Sequence, residues 1–197
     1  MPKLIEHHKR KQLIAEASWK VILEQGIEGA SVRNIAKEAG LSLGSLRYYF
    51  STQEELLAFA RDLVYQKTAE RMGKVFKLDM PPKEKIIQVL LDLMPSAKEI
   101  KLEAEVRLIF KVHARLEKEQ FDVQKDSVYS AIKELMSYLM LLNLLKKEAD
   151  LHTETERMYA LLDGLALNGI VRRERLEAST LKRTIIYHLN SICTEEF

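Results

Sequence analysis

The chain has 197 residues, 31 Lys and Arg against 29 Asp and Glu, and 47% hydrophobic residues, a globular composition that excludes a disordered chain. Seven Gly and four Pro supply too few breakers for the turns of a sandwich or barrel, so the fold is predicted all-α. One cysteine, a charged start unlike a signal peptide, and a longest apolar run of only Tyr138–Leu145 predict a soluble, cytoplasmic protein without disulfides or a membrane span.

In chain order, a helix is predicted over Glu6–Gln25, stopped by Gly26. A short one runs from Ser31 to Ala39, stopped by Gly40, and a second follows Ser42. A long helix covers Thr52 to about Lys74. Pro81-Pro82 opens the next, which ends at Pro95. Two more fill Ala97–Glu119 and Val123–Glu148, and the last two Glu154–Arg172 and Ser179–Thr194, giving about nine. In the final helix Leu181, Ile185, Leu189 and Ile192 form one apolar stripe. Ser51–Glu54, Ser96–Glu99 and Thr153–Glu156 each match the capping box, in which a hydroxyl and a Glu three residues on satisfy the first N–H groups of a helix. Asp163-Gly164 and Asn168-Gly169 are hairpin-type dipeptides, but they leave no room for a strand between them, and the apolar spacing around them is helical.

Charge is uneven. Residues 1–50 hold eight Lys/Arg against five Glu, whereas the remainder is nearly balanced, so the N-terminal part is mildly basic, as a polyanion partner favours. That part contains Ser31-Val32-Arg33-Asn34-Ile35-Ala36-Lys37-Glu38-Ala39-Gly40-Leu41-Ser42-Leu43-Gly44-Ser45-Leu46-Arg47-Tyr48-Tyr49-Phe50. Two short helices joined by Gly40-Leu41-Ser42 read as a helix-turn-helix, with Val32, Ile35, Ala36, Ala39, Leu41 and Leu46 between them. Ser42, Leu43, Ser45, Arg47, Tyr48 and Tyr49 are left near the outer face of the second helix, the element a DNA major groove admits. Arg33, Lys37 and the run His8-Lys9-Arg10-Lys11 supply further positive charge.

Other chemistry is excluded on spacing. Gly40-Leu41-Ser42-Leu43-Gly44 spells the hydrolase nucleophile elbow, but that motif needs a strand before its Ser and a helix precedes it here. His7, His8, His113, His152 and His188 form no metal-ligand spacing. No enzyme activity, metal or cofactor is predicted. The alternative to a DNA-binding protein is a helical small-molecule-binding protein or enzyme without DNA activity.

The segment Leu13–Leu57 resembles the DNA-binding domain of tetracycline-repressor-type (TetR) transcriptional regulators. The likeness runs through Glu24-Gln25-Gly26, Ile35-Ala36-x-x-Ala39-Gly40, Leu41-Ser42-x-Gly44, Leu46-x-x-Tyr49-Phe50 and Glu55-Leu56. Ala160–Leu167 resembles, less specifically, the C-terminal region of the betaine-inhibitor-like branch. The resemblance implies a DNA-binding domain at 1–52 and a dimerisation and effector domain at 53–197. It also implies a homodimeric repressor on a palindromic operator, released by a small-molecule effector. It implies DNA contacts from Ser31, Arg33, Lys37, Ser42, Leu43, Gly44, Ser45, Arg47, Tyr48, Tyr49, Thr52 and Gln53. Arg47 and Gln53 depart from the family's usual Tyr and Lys. Effector-pocket candidates are Phe59, Phe110, His113, Tyr129 and Tyr138. The implied dimer interface holds Leu161, Gly164, Leu165, Asn168, Ile185, Ile186 and Leu189.

Overall fold

The computed structural model describes residues 2–95, 98–116, 126–171 and 177–197. Among them the chain forms α1 (Pro2–Gln25), α2 (Val32–Glu38), α3 (Leu43–Tyr49), α4 (Gln53–Phe76), α5 (Pro82–Asp92), α6 (Lys98–Leu116), α7 (Ser127–Leu141), α8 (Leu151–Val171) and α9 (Ala178–Ile192). They divide into two compact units, Met1–Gln66 with Glu105–Phe121, and Lys67–Ala104 with Asp122–Phe197. The division falls inside α4, which runs unbroken beyond it.

In the first unit α1 buries Ile14, Ala15, Ser18, Val21 and Ile22 at helical spacing. Trp19 is also buried and donates its indole N–H to the Ala60 carbonyl at 3.0 Å. Ile35 and Ala36 of α2, Leu46 of α3, Phe50, and Leu56 and Ala60 of α4 complete this core. In the second unit the core joins Ile86, Val89 and Leu90 of α5 to Ile132, Leu135 and Leu139 of α7, Met158 and Leu162 of α8, and Ile185, Leu189 and Ile192 of α9. The predicted stripe of the last helix is therefore the face that enters the core.

Several boundaries move. α1 begins at Pro2 rather than Glu6. α7 stops at Leu141 instead of Glu148, because Asn143 takes φ +56°. The chain then pairs with its own C-terminal end: Lys146 N–H donates to the Ile192 carbonyl at 3.0 Å and Thr194 N–H to the Leu144 carbonyl at 2.8 Å. That segment is apolar enough to read as helix, and only the left-handed Asn ends it. The capping boxes shift too. At α4 the hydroxyl is that of Thr52, which accepts from the Glu55 N–H at 3.1 Å, while Glu55 accepts from the Ser51 N–H at 2.9 Å. At α8 the cap is Asp150, accepting from the Thr153 N–H at 2.8 Å, three residues before the predicted Thr. The box at Ser96–Glu99 lies outside the described side chains, as do the starts or ends predicted at Glu119, Val123 and Arg172. Gly164 and Gly169 lie within α8, as the spacing requires.

Candidate nucleic-acid interface

Ser31 and Ser42 start the two short helices. Ser31 Oγ accepts from the Asn34 N–H (3.2 Å) and Ser42 Oγ from the Ser45 N–H (3.1 Å), caps that contribute about 1 kcal/mol each. Between them Gly40 takes φ +64°, where an L side chain is strained. Its N–H returns to the Lys37 carbonyl at 3.2 Å, and the Leu41 N–H to the Ala36 carbonyl at 2.9 Å. That pair of bonds is the Schellman stop, which fixes the angle at which α3 leaves α2.

α3 then presents almost all of itself. Of its seven residues only Leu46 is fully buried. Ser42, Gly44, Ser45, Arg47 and Tyr48 are exposed, Tyr48 by 75%, while Leu43 and Tyr49 are half-buried. A Cβ built on Gly44 meets nothing within 4 Å, so packing does not require that glycine. Leu46 below and the buried Phe50 at the C-terminal end hold the helix against the core.

The charges sort themselves. Arg33, Lys37 and Arg47 are exposed, and among the described residues none has an acid within ion-pair distance. Lys11, expected to face a polyanion, is instead used internally: it pairs with Glu55 at 3.3 Å and lies 4.6 Å above the Phe50 ring. The Ser51 N–H, and then Lys11, hold the Glu55 carboxyl below its ordinary range. The hydroxyls of Ser31, Ser42 and Thr52 accept as caps and keep an O–H to donate. Gln53 opens α4, half-buried.

One residue of this surface was not predicted. His7 lies 5.0 Å from the Tyr49 ring and 5.9 Å from Tyr48, and those two rings are 5.1 Å apart in an edge-to-face pair. The signal was available: His7, Lys11, Ile14 and Ser18 are spaced by four, three and four, continuing the buried stripe of α1 toward its start.

The proposed pocket residues do not gather in one unit. Phe59 packs on Phe50 with ring centroids 5.4 Å apart and takes the edge of His8 at 6.1 Å, so it belongs to the first unit's ring cluster. Phe110 is buried, and His113 lines a groove of about 340 Å³ with Ile27, Leu108 and Val112, also in the first unit. In the second unit Tyr129 donates to Glu156 at 2.8 Å and stands edge-on to Tyr159, and Tyr138 meets Phe76 at 6.5 Å.

The interface residues divide as well. Ile185 and Leu189 are fully buried in their own unit's core, which removes them from any surface. Leu161, Gly164, Leu165 and Ile186 are half-buried, and Asn168 is exposed but donates back to the Gly164 carbonyl at 2.7 Å. Among the described residues, the large hydrophobic side chains that α8 and α9 expose are Leu167, Val171 and Tyr187.

A capped helix anchored by one buried leucine, with free cations and hydroxyls around it, defines a helix-turn-helix of the kind that enters a DNA groove. Residues 14–59 match the family model for bacterial regulatory proteins of the tetR family, and residues 82–194 match that for the C-terminal domain of BetI-type transcriptional repressors. The chain belongs to the TetR family of transcriptional regulators. It is 50% identical over 196 residues to the HTH-type transcriptional regulator PksA of Bacillus subtilis (strain 168), covering 100% of this chain and 96% of that protein. Identity to the HTH-type transcriptional regulator BetI of Vibrio vulnificus (strain YJ016) is 26% over 203 residues, 98% of each. Among solved structures, a transcriptional regulator from Rhodococcus sp. Rha1 is similar at 27% identity and TM-score 0.78, covering 92% of this chain and 95% of that one. A chain from Saccharomonospora viridis, solved in complex with choline, shares the fold at 19% identity and TM-score 0.76, over 95% of this chain and 100% of that one. The protein is therefore a DNA-binding regulator of transcription and not an enzyme. No helix among the described residues is long and apolar enough to cross a membrane.

Proposed function

We propose that this regulator represses transcription by binding, as a homodimer, to a near-palindromic operator with one α3 in each half-site. Residues 1–52 would carry the DNA contacts, and 53–197 dimerisation and a small-molecule effector. Effector binding then favours a state whose two α3 helices no longer match operator spacing, a shift that requires different affinities for the two states. The observation that carries this is the exposure of α3: six of its seven residues are not fully buried. Its partners in contact are Ser31, Arg33, Lys37, Ser42, Leu43, Gly44, Ser45, Arg47, Tyr48, Tyr49, Thr52 and Gln53. Arg33 and Lys37 neutralise phosphate, while Arg47 reaches phosphate or a guanine edge. Leu161, Gly164, Leu165, Asn168 and Ile186, extended by Val171 and Tyr187, form the dimer face. The BetI-type match and the choline-bound fold neighbour support a ligand in the C-terminal part; Tyr129 and Tyr138 are its candidates there.

The test is titration against DNA from immediately upstream of the chain's own coding region, with scrambled competitor, at several salt concentrations. Saturable binding with a log–log salt slope of about −5 to −9 is expected for some 6–10 phosphate contacts. Arg47→Ala and Tyr48→Ala should each weaken it about tenfold and leave the dimer intact. Unchanged binding in both variants overturns α3 as the reader.

A further inference from the structure

The groove of about 340 Å³ in the first unit is walled on one side by the α1–α2 turn and on the other by α6. Ile27, Leu108, Ile109 and Val112 line it, so its surface is mostly apolar, and its volume is at the small end of the range that ligand sites occupy. Val112 is 54% exposed, apolar surface that a bound molecule would take out of water. Two polar side chains stand in the same lining, Glu28 and His113, and among the described residues neither has a hydrogen bond or an ion pair. Glu28 is exposed and folds back over the turn, with Oε2 3.2 Å from where a Cβ on Gly26 would stand. An apolar cleft with a free carboxylate at its edge is complementary to an apolar molecule that carries one positive charge.

The wall formed by the turn is fixed in place. Gly26 takes φ +74° and returns its N–H to the Ile22 carbonyl at 2.9 Å. Asn34 of α2 donates its amide N–H groups to Gln25 Oε1 at 3.0 Å and to the Gly29 carbonyl at 2.9 Å. A Cβ on Gly29 would meet Gln25 Cβ at 2.5 Å. The groove is therefore preformed, and this wall is fastened to the helix that carries Arg33 and Lys37. The opposite wall belongs to a helix that runs unbroken across the division into the second unit. We propose that the groove binds a small lipophilic amine, its apolar body between the turn and α6 and its ammonium on Glu28, and that occupancy, by loading the turn to which α2 is fastened, changes operator affinity. The regulatory half rests on the chain being controlled by a small molecule; the binding half does not. The site is separate from Tyr129 and Tyr138, which stand in the second unit.

The test follows the methyl resonances of the full-length protein without DNA by NMR, with phenethylammonium, phenylacetate and phenethyl alcohol as probes. The ammonium should shift the methyls of Ile27, Leu108, Ile109 and Val112 with a Kd of about 1 mM, the affinity expected for a ligand of that size. Glu28→Gln should weaken it about two- to fivefold and leave the alcohol unchanged. Val112→Arg, at an exposed position, sets a cation beside the groove and should abolish ammonium binding with Tm unchanged. Shifts confined to methyls of the second unit would return the ligand to the side of Tyr129 and Tyr138 and overturn this site. So would a carboxylate or alcohol that binds as tightly as the ammonium, full affinity in both variants, or no shift at about 10 mM. Operator affinity is then titrated at fixed ionic strength with and without saturating ammonium. A change of about fivefold or more is expected in the wild type and none in Val112→Arg. An unmoved wild type, or a change that persists in the variant, overturns the regulatory half.

Discussion

The imidazole of His7 reaches both Tyr48 and Tyr49, so one side chain of α1 braces the end of α3, the proposed reading helix. Aromatic pairs contribute about 0.5–1.5 kcal/mol beyond area burial, enough to hold Tyr48 in place although 75% of it is exposed. His7→Ala should weaken operator binding about three- to tenfold with little change in Tm, and His7→Phe should restore it, because the ring and not a charge is what acts. Equal loss in both variants, measured by DNA titration, would refute the bracing role. A second histidine acts on stability. Burial, reinforced by Arg157, holds His188 below the ordinary His range, and Glu154 opposes this only in part. Its Nε2 is buried without a partner. The unfolded chain therefore binds this proton more readily than the native one, so stability falls as pH drops below about 6.5, the unfolded value, and levels off below the native value. In Tm scans from pH 8 to 5.5 that slope should flatten in His188→Gln; an unchanged slope would assign it to other groups.

At the scale of the element, α3 separates stability from recognition. Gly44 is in its first turn, exposed, with open space where a Cβ would stand. Alanine there should leave Tm unchanged or raise stability by up to about 0.5 kcal/mol, while weakening DNA binding if the groove approaches that close. Gly40→Ala, at φ +64°, should instead lower Tm by straining the turn. The pair is read by thermal unfolding and DNA titration together, and a Gly44→Ala variant that binds normally removes Gly44 from the interface. These two short helices were legible because their signals are local: a hydroxyl cap, a glycine stop and an apolar inner face all lie within twenty residues. Where local signals compete, sequence spacing does not say which one the fold uses. Asp150, not Thr153, caps α8, and Asn143 ends α7 inside a run whose apolar pattern still reads as helix. Periodicity located the buried stripe of α9 correctly, but it does not say whether a partner subunit or the chain itself covers such a stripe. Ile185 and Leu189 face their own core for that reason. Nor does periodicity say what an aromatic on a long helix meets: Phe59 packs against Phe50 and His8, which tertiary structure brings near.

For the whole molecule, affinity for a palindrome depends on both recognition helices acting as one body. Linking two half-site contacts raises avidity by about 10²–10⁴ without any new contact, so in the proposed homodimer the dimer face matters to operator affinity as much as α3. The core positions cannot be that face: truncating a fully buried Ile185 or Leu189 would cost about 2–5 kcal/mol and unfold the unit before it reported on assembly. Val171 and Tyr187, 68% and 80% exposed on α8 and α9, make almost no demand on the monomer. An isolated subunit has little reason to show water a large aromatic and a β-branched residue on adjoining helices, whereas an obligate interface buries such residues at its centre. Val171→Glu with Tyr187→Glu places four like charges across a two-fold axis. Sedimentation should then find a monomer at concentrations where the wild type is a dimer, with Tm changed by what lost association alone explains. Operator affinity should fall at least about a hundredfold, with the salt slope roughly halved because one subunit neutralises half the phosphates. A dimer that survives both charges moves the interface off this face; a monomer that still binds the operator at full affinity removes the need for two-fold recognition altogether.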